Sequence, residues 1–200
     1  MANQVVLLWL AALPLMASPG PAVLSVAGVG TAFGLRRALP YYGGIVAGTH
    51  AVMALIAAGV TSLILAEPAL VGVLTGLACA YILYLAWKIA SAPVGAVAVA
   101  DRPAPGFLPG FLLAVSNPKA FAVFGALYSG HTVIAGDRLA DTAAKLAALS
   151  LVIVAANLAW LLFGAGFART LSRPAIGRAV NIAFAILLVA SVALALLAPQ

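Results

Sequence analysis

The chain has 200 residues, of which 66% are apolar and only 7% carry a formal charge. Charged residues make up about a quarter of a typical soluble domain, whereas the mean hydropathy of +1.21 is typical of a protein embedded in lipid. These values exclude a soluble enzyme, a secreted domain and a nucleic-acid-binding protein, although the net charge is +6.

Six apolar windows follow one another along the chain, and roughly 20 residues suffice for a helix to cross a membrane. The windows are Asn3–Gly34, Leu39–Leu65, Ala69–Ile89, Gly106–Tyr128, Ala143–Phe167 and Gly177–Leu197. None of them alternates between polar and apolar residues, so we expect helices, whose backbone groups are satisfied within each segment. The predicted fold is all-α, a single transmembrane domain of residues 1–200 with six transmembrane helices.

Basic residues are distributed unevenly among the loops between these windows, and this distribution predicts the orientation of the chain. Seven lie in or beside the first, third and fifth loops, namely Arg36, Arg37, Lys88, Arg102, Arg169, Arg173 and Arg178. The opposite side has only two, Arg138 and Lys145. The excess places the odd-numbered loops in the cytoplasm and both termini on the outer side of the cytoplasmic membrane.

The first window contains the segment Ser18-Pro19-Gly20-Pro21 near its middle. Proline lacks an amide donor and clashes with the preceding turn, so we expect this helix to break. A kink in a continuous helix is the alternative. The half-helix that starts near Ala22 would expose unpaired N–H groups at its positive end, an arrangement that suits a carboxylate or a phosphate. The four residues of the segment are therefore predicted to contribute to a substrate site.

The fourth window is interrupted in the same way, at Ser116-Asn117-Pro118-Lys119. Asn117, Pro118 and Lys119 are therefore added to the predicted substrate site, because transporters place substrate where discontinuous helices meet.

The positions of the two breaks also predict an internal symmetry. Each break lies in the first of three windows, so the chain divides into half-repeats 1–90 and 106–200, joined by a cytoplasmic linker, 91–105. Because three crossings is an odd number, the two halves enter the membrane from opposite sides. The prediction is an inverted 3+3 repeat with broken helices 1 and 4.

Three of the polar side chains inside the apolar windows are singled out here, because polar groups are costly in lipid. The windows contain no acidic residue, so the Lys119 ammonium has no evident carboxylate partner there. Four situations are open for it: it loses its proton, it is held by carbonyls freed at a broken helix, it binds an anionic ligand, or it snorkels to an interface. Asn157 is predicted to contact substrate, with a helix–helix hydrogen bond as the alternative. His50 is predicted to carry a coupling proton, with a packing role as the alternative.

These features together resemble the LysE/RhtB family of exporters of amino acids and related metabolites, over nearly the whole chain. The resemblance rests on Ser18-Pro19-Gly20-Pro21, on Gly44, Gly48 and His50, on Ala80–Lys88, on Gly110-Phe111 and on Asn117-Pro118-Lys119-Ala120. It implies a six-helix carrier in the bacterial inner membrane that expels a solute, driven by the proton gradient.

The predicted function is secondary transport by antiport: export of a small carboxylate-bearing solute, a zwitterion or anion such as an amino acid, with H⁺ or Na⁺ as coupling ion. No catalytic residue, cofactor or metal ligand is predicted, and the protein is not expected to be an enzyme. The expected partners are the solute, the coupling ion and the lipid bilayer, without nucleic acid. Association into a homodimer is left open.

Other function classes fit the residues less well. An exporter of metal cations with similar architecture is the alternative, but such sites need carboxylates, thiolates or several histidines, and the windows contain one Cys and one His. A membrane-embedded enzyme is disfavoured because neither a GxSxG nor an HExxH motif occurs. A passive scaffold has no evident use for two broken helices and a deep lysine.

Overall fold

The computed structural model describes residues 2–59, 103–171 and 174–197, together with residues 76, 79, 80, 83, 84, 86, 87, 90 and 91. All regular elements in these ranges are helices, as the predicted all-α class requires. They are α1 (Ala2–Ala17), α2 (Pro21–Ala57), α3 (Phe107–Val115), α4 (Pro118–Gly130), α5 (Arg138–Leu171) and α6 (Pro174–Leu197). Most of the third predicted window, the end of the second and linker residues 92–102 lie outside the described residues.

The described helices have the lengths and surfaces of a membrane protein. Two are long and apolar enough to cross a bilayer, namely α2 and the Arg138–Gly166 part of α5, and α3 with α4 makes a third if this bent pair is one span. Large apolar side chains point away from the bundle, with 64% of Leu10, 62% of Leu108 and 58% of Leu151 exposed. Apolar surface of this extent is expected where lipid covers the protein.

The first window is broken where its prolines predict, because α1 ends at Ala17 and α2 begins at Pro21. The turn expected between the first and second windows lies at Gly34, where two helices meet within α2, and Arg36 and Arg37 already belong to the second of them. Only Gly34 leaves helical geometry, with φ 75° and ψ 167°, a conformation that glycine adopts without a Cβ penalty. One residue is thus enough to redirect the helix, and the Arg37 guanidinium lies 5.5 Å from the Phe33 ring centroid across the kink.

Glycines allow α2 and α3 to cross with their backbones in contact. A Cβ at Gly44 would collide with the Phe107 carbonyl, and one at Gly48 would lie 2.6 Å from the Phe111 oxygen. On the facing helix, a Cβ at Gly110 would collide with the Tyr41 carbonyl. Close approach at small residues is the main source of helix association in lipid, and here it fixes α3 so that its C-terminal end reaches the centre of the bundle.

Two apolar clusters form the core, one on each side of a polar layer. The first cluster includes Leu24, Tyr41, Ile45, Leu113 and Leu161. The second includes Leu8, Val52, Phe124, Leu149 and Ile153. Along α2 and α5, the residues that fall between the two clusters are Thr49 and Asn157, which are both buried and polar. The two clusters therefore hold the broken helix ends and these polar side chains at one level.

Candidate functional site

The break between α1 and α2 leaves polar backbone groups without helical partners. Gly20 is the N-cap of α2 in an extended conformation, Pro21 follows it, and no side chain caps this end among the described residues. The N–H groups of Ala22 and Val23 therefore stay open in the first turn, where the helix dipole concentrates positive charge. On the other side of the break, the Ser18 hydroxyl donates to the Leu15 carbonyl at 2.8 Å.

The break between α3 and α4 bends the chain by 58°. Asn117 is the N-cap of α4, and its Oδ1 accepts a hydrogen bond of 3.2 Å from the Lys119 backbone N–H. Pro118 occupies the first helical position, where its missing N–H costs nothing. The local sequence Asn-Pro-Lys thus starts a helix and projects the Lys119 side chain from its first turn.

Lys119 joins the two breaks directly. Its Nζ donates to the Ser18 carbonyl oxygen at 2.6 Å and to the Ser18 Oγ at 2.7 Å, across 101 residues of sequence. The ammonium thus lies on a carbonyl freed at a broken helix, which is one of the four situations left open for it. Gly20 leaves room for this contact, because a Cβ there would lie 2.8 Å from Lys119 Cδ.

A partly open pocket lies at this junction, with an empty volume of about 410 Å³ that includes the adjoining open space. Its lining consists of Met16, Gly20, Ala22, Val23, Thr49, Asn117, Lys119, Ala120, Val123, Phe124 and Asn157. The ammonium of Lys119 and the uncapped first turn of α2 bias it towards negative groups. No acidic side chain stands among these lining residues.

The nine residues predicted for binding and coupling fall into three groups in the structure. Four line the pocket, namely Gly20, Asn117, Lys119 and Asn157. Four more stand around the pocket without lining it: Ser18 holds the Lys119 amine, Pro19 lies in the first break, and Pro21 and Pro118 begin α2 and α4. His50 lies outside the lining: it is half-buried, with Nδ1 2.8 Å from the Val46 carbonyl oxygen.

Two polar residues at the junction were missed in the sequence. Thr49 lines the pocket, with its hydroxyl donating to the Ile45 carbonyl at 2.7 Å. Trp160 Nε1 donates to the Ala17 carbonyl at 3.0 Å and so satisfies another backbone group at the end of α1. Thr49 could have been found from its position directly after Gly48, next to the glycines that bring two helices into close contact. Trp160 could have been found from its position three residues after Asn157, which puts both side chains on the same face of α5.

Comparisons with known proteins agree with this architecture. The family profile described as LysE type translocator matches residues 13–199. The chain is 34% identical over 178 residues to the cysteine/O-acetylserine efflux protein of Salmonella paratyphi A (strain ATCC 9150 / SARB42), covering 86% of this chain and 87% of that protein. It is 30% identical over 172 residues to the protein of the same name from Escherichia coli O1:K1 / APEC, with the same coverage.

No solved structure matches the chain. The family assignment rests on sequence alone, and it extends over both helix breaks and the residues that line the pocket. The matched profile is one of translocators, and the similar proteins are named as efflux proteins rather than enzymes. The chain belongs to the LysE type translocator family.

Proposed function

We propose that this protein exports a small carboxylate-bearing solute, an amino acid or a closely related metabolite, from the cytoplasm. The observation that carries the proposal is the position of the Lys119 ammonium, which lies on Ser18 in a pocket between two broken helices. An ammonium has three N–H donors, of which Ser18 takes two, so one is left for a carboxylate. The open N–H groups of Ala22 and Val23 offer that carboxylate further hydrogen bonds.

The names of the similar proteins narrow the choice of solute. They are called efflux proteins for cysteine and O-acetylserine, two amino acids with small, uncharged side chains. The pocket has an apolar wall that includes Met16, Val123 and Phe124, which suits such side chains. We take cysteine and O-acetylserine as the first solutes to test.

Helix packing supports an inverted 3+3 repeat of six spans as the framework of this carrier. The first window packs on α5, through hydrogen bonds from Trp9 Nε1 to the Ala148 carbonyl at 2.9 Å and from Thr31 to the Gly164 carbonyl at 3.0 Å. The fourth window packs on the second one through the glycine crossing of α2 and α3. Exchanging the two halves converts one of these pairings into the other, as an inverted repeat requires. Rocking of the halves about the pocket would then alternate its access.

Proton antiport across the bacterial cytoplasmic membrane, with both termini outside, completes the proposal. His50 follows Thr49, a pocket residue, and its Nδ1 is engaged by the Val46 carbonyl. Because a carbonyl oxygen only accepts, Nδ1 donates in this contact and Nε2 is the ring nitrogen left for a second proton. His50 is therefore our candidate for the coupling residue.

The proposal is tested with the purified protein in lipid vesicles loaded with labelled O-acetylserine or cysteine. We expect efflux well above that of protein-free vesicles, and faster efflux when the receiving side is made acidic, because protons then enter as solute leaves. His50→Gln should retain exchange of labelled for unlabelled solute but lose the acceleration by the pH gradient. Efflux no faster than in protein-free vesicles for both solutes would contradict the proposal.

Export of metal cations receives no support from the site. Divalent cations bind clusters of carboxylate, thiolate or imidazole groups. Within the ranges that the structure describes, no three His, Cys, Asp or Glu residues come together in such a group. The charged group at the pocket is instead the cation Lys119, which would repel a metal ion.

A further inference from the structure

Asn157 has an unused hydrogen-bond acceptor at the pocket. The side chain lies midway along α5, is only 5% exposed and lines the cavity. Its Nδ2 donates to the Ile153 carbonyl at 2.9 Å, whereas its Oδ1 is buried without a partner among the described residues. A buried acceptor left unpaired is unfavourable, and a bound molecule that donates to it is one physical explanation for such a group in a native structure.

The charge of the neighbouring groups indicates what this acceptor binds. The pocket already holds a cation, Lys119, and open N–H groups in the first turn of α2, all of which are donors. A carboxylate satisfies these donors, but it brings no N–H to Asn157. The acceptor therefore calls for a second, hydrogen-bond-donating group on the same solute.

We propose that Asn157 Oδ1 accepts a hydrogen bond from the ammonium group of the transported solute, whose carboxylate lies at Lys119. The inference rests on the proposed function, since it assigns the second polar end of the same solute. It makes Asn157 a residue that selects α-amino acids in their zwitterionic form over carboxylates that lack the amino group.

An amide at this position is better suited to that task than a carboxylate. An aspartate facing the pocket would attract the Lys119 ammonium and neutralise it, so the site would lose its preference for a carboxylate. Asn157 accepts the ammonium N–H and leaves the positive charge of Lys119 for the solute. No acidic side chain stands among the described residues that line the pocket. These residues offer no ionic partner to a lysine-like or arginine-like side chain, which points to amino acids with neutral side chains.

The test compares two thiol compounds that differ only in the amino group, L-cysteine and 3-mercaptopropionate. Their dissociation constants are measured by titration calorimetry on the purified protein in lipid nanodiscs under reducing conditions. We expect the wild type to bind cysteine at least tenfold more tightly. Asn157→Leu, which is nearly isosteric, should reduce this preference to less than twofold by weakening cysteine binding, with the affinity for 3-mercaptopropionate unchanged.

The outcomes separate this inference from the proposed function. Equal binding of the two compounds by the wild type, or an undiminished preference in Asn157→Leu, overturns the ammonium contact while export of carboxylates stands. Failure of the wild type to bind either compound overturns both together. If Asn157→Leu does not fold, Asn157→Ser replaces it, because its shorter side chain withdraws the acceptor and should lower the preference in the same way.

Discussion

Lys119→Gln is expected to lower the rate of solute efflux about 100-fold at limiting solute concentration. The substitution retains hydrogen-bonding capacity near Ser18 but removes the positive charge that pairs with the carboxylate. Truncating one member of a desolvated charge pair costs about 2–5 kcal/mol, and a 100-fold loss corresponds to about 2.7 kcal/mol. The measurement is efflux of labelled O-acetylserine from vesicles that contain equal amounts of folded protein.

Arg138→Gln is the matched control for this experiment. Arg138 is also a cation, but it is exposed at the start of α5, away from the pocket, so its loss should leave efflux within twofold of the wild type. Lys119→Arg retains the charge in a larger group and should fall between the two. Efflux above half the wild-type rate in Lys119→Gln would show that the solute carboxylate binds elsewhere.

Gly44→Ala is expected to destabilise the folded protein by about 3 kcal/mol, at the upper end of the usual cost of overpacking. The new Cβ collides with the Phe107 carbonyl, which belongs to the backbone of α3 and cannot rotate away. The two helices must separate, and α3 then no longer delivers the second break to the pocket. A lower melting temperature in detergent and a loss of efflux should appear together.

Gly43→Ala provides the control, because it makes the same chemical change one residue earlier. A Cβ at Gly43 would lie 3.8 Å from Phe107 Cδ2, which is ordinary van der Waals contact. Both substitutions favour helix propensity to the same extent, so the difference between them isolates the helix crossing. Equal melting temperatures for the two variants would contradict a backbone contact at Gly44.

The two helix breaks were predictable because their cause is local. Pro21 and Pro118 each begin the helix that follows a break, a position that proline favours. Proline alone does not suffice, because Pro14 and Pro40 lie inside α1 and α2; the breaks occur where proline stands next to glycine or asparagine. The close-packing glycines were also predictable in part, because small residues four apart are a local sequence signal. Gly44, Gly48 and Gly110 belong to such spacings, and all three lie at a backbone contact.

The partners of the polar side chains were not predictable, because they depend on how distant segments meet. The sequence placed Ser18 and Lys119 in one site, but it left four situations open for the ammonium and did not identify the Ser18 carbonyl, 101 residues away, as its partner. The kink at Gly34 was missed for another reason: the basic pair Arg36-Arg37 resembles a loop, whereas a single glycine already turns the chain. Thr49 was missed because a threonine that bonds back to its own helix has the same sequence signal whether or not it faces a cavity.

Labelling of Thr49→Cys in a Cys79→Ala background shows whether the transported solute occupies the pocket between the two breaks. The new thiol lies in the pocket lining, and an anionic methanethiosulfonate reagent should modify it in vesicles. We expect saturating O-acetylserine to slow this modification at least fivefold, because the bound solute shields the thiol. If O-acetylserine leaves the labelling rate unchanged in a variant that still exports it, the transported solute does not occupy this pocket.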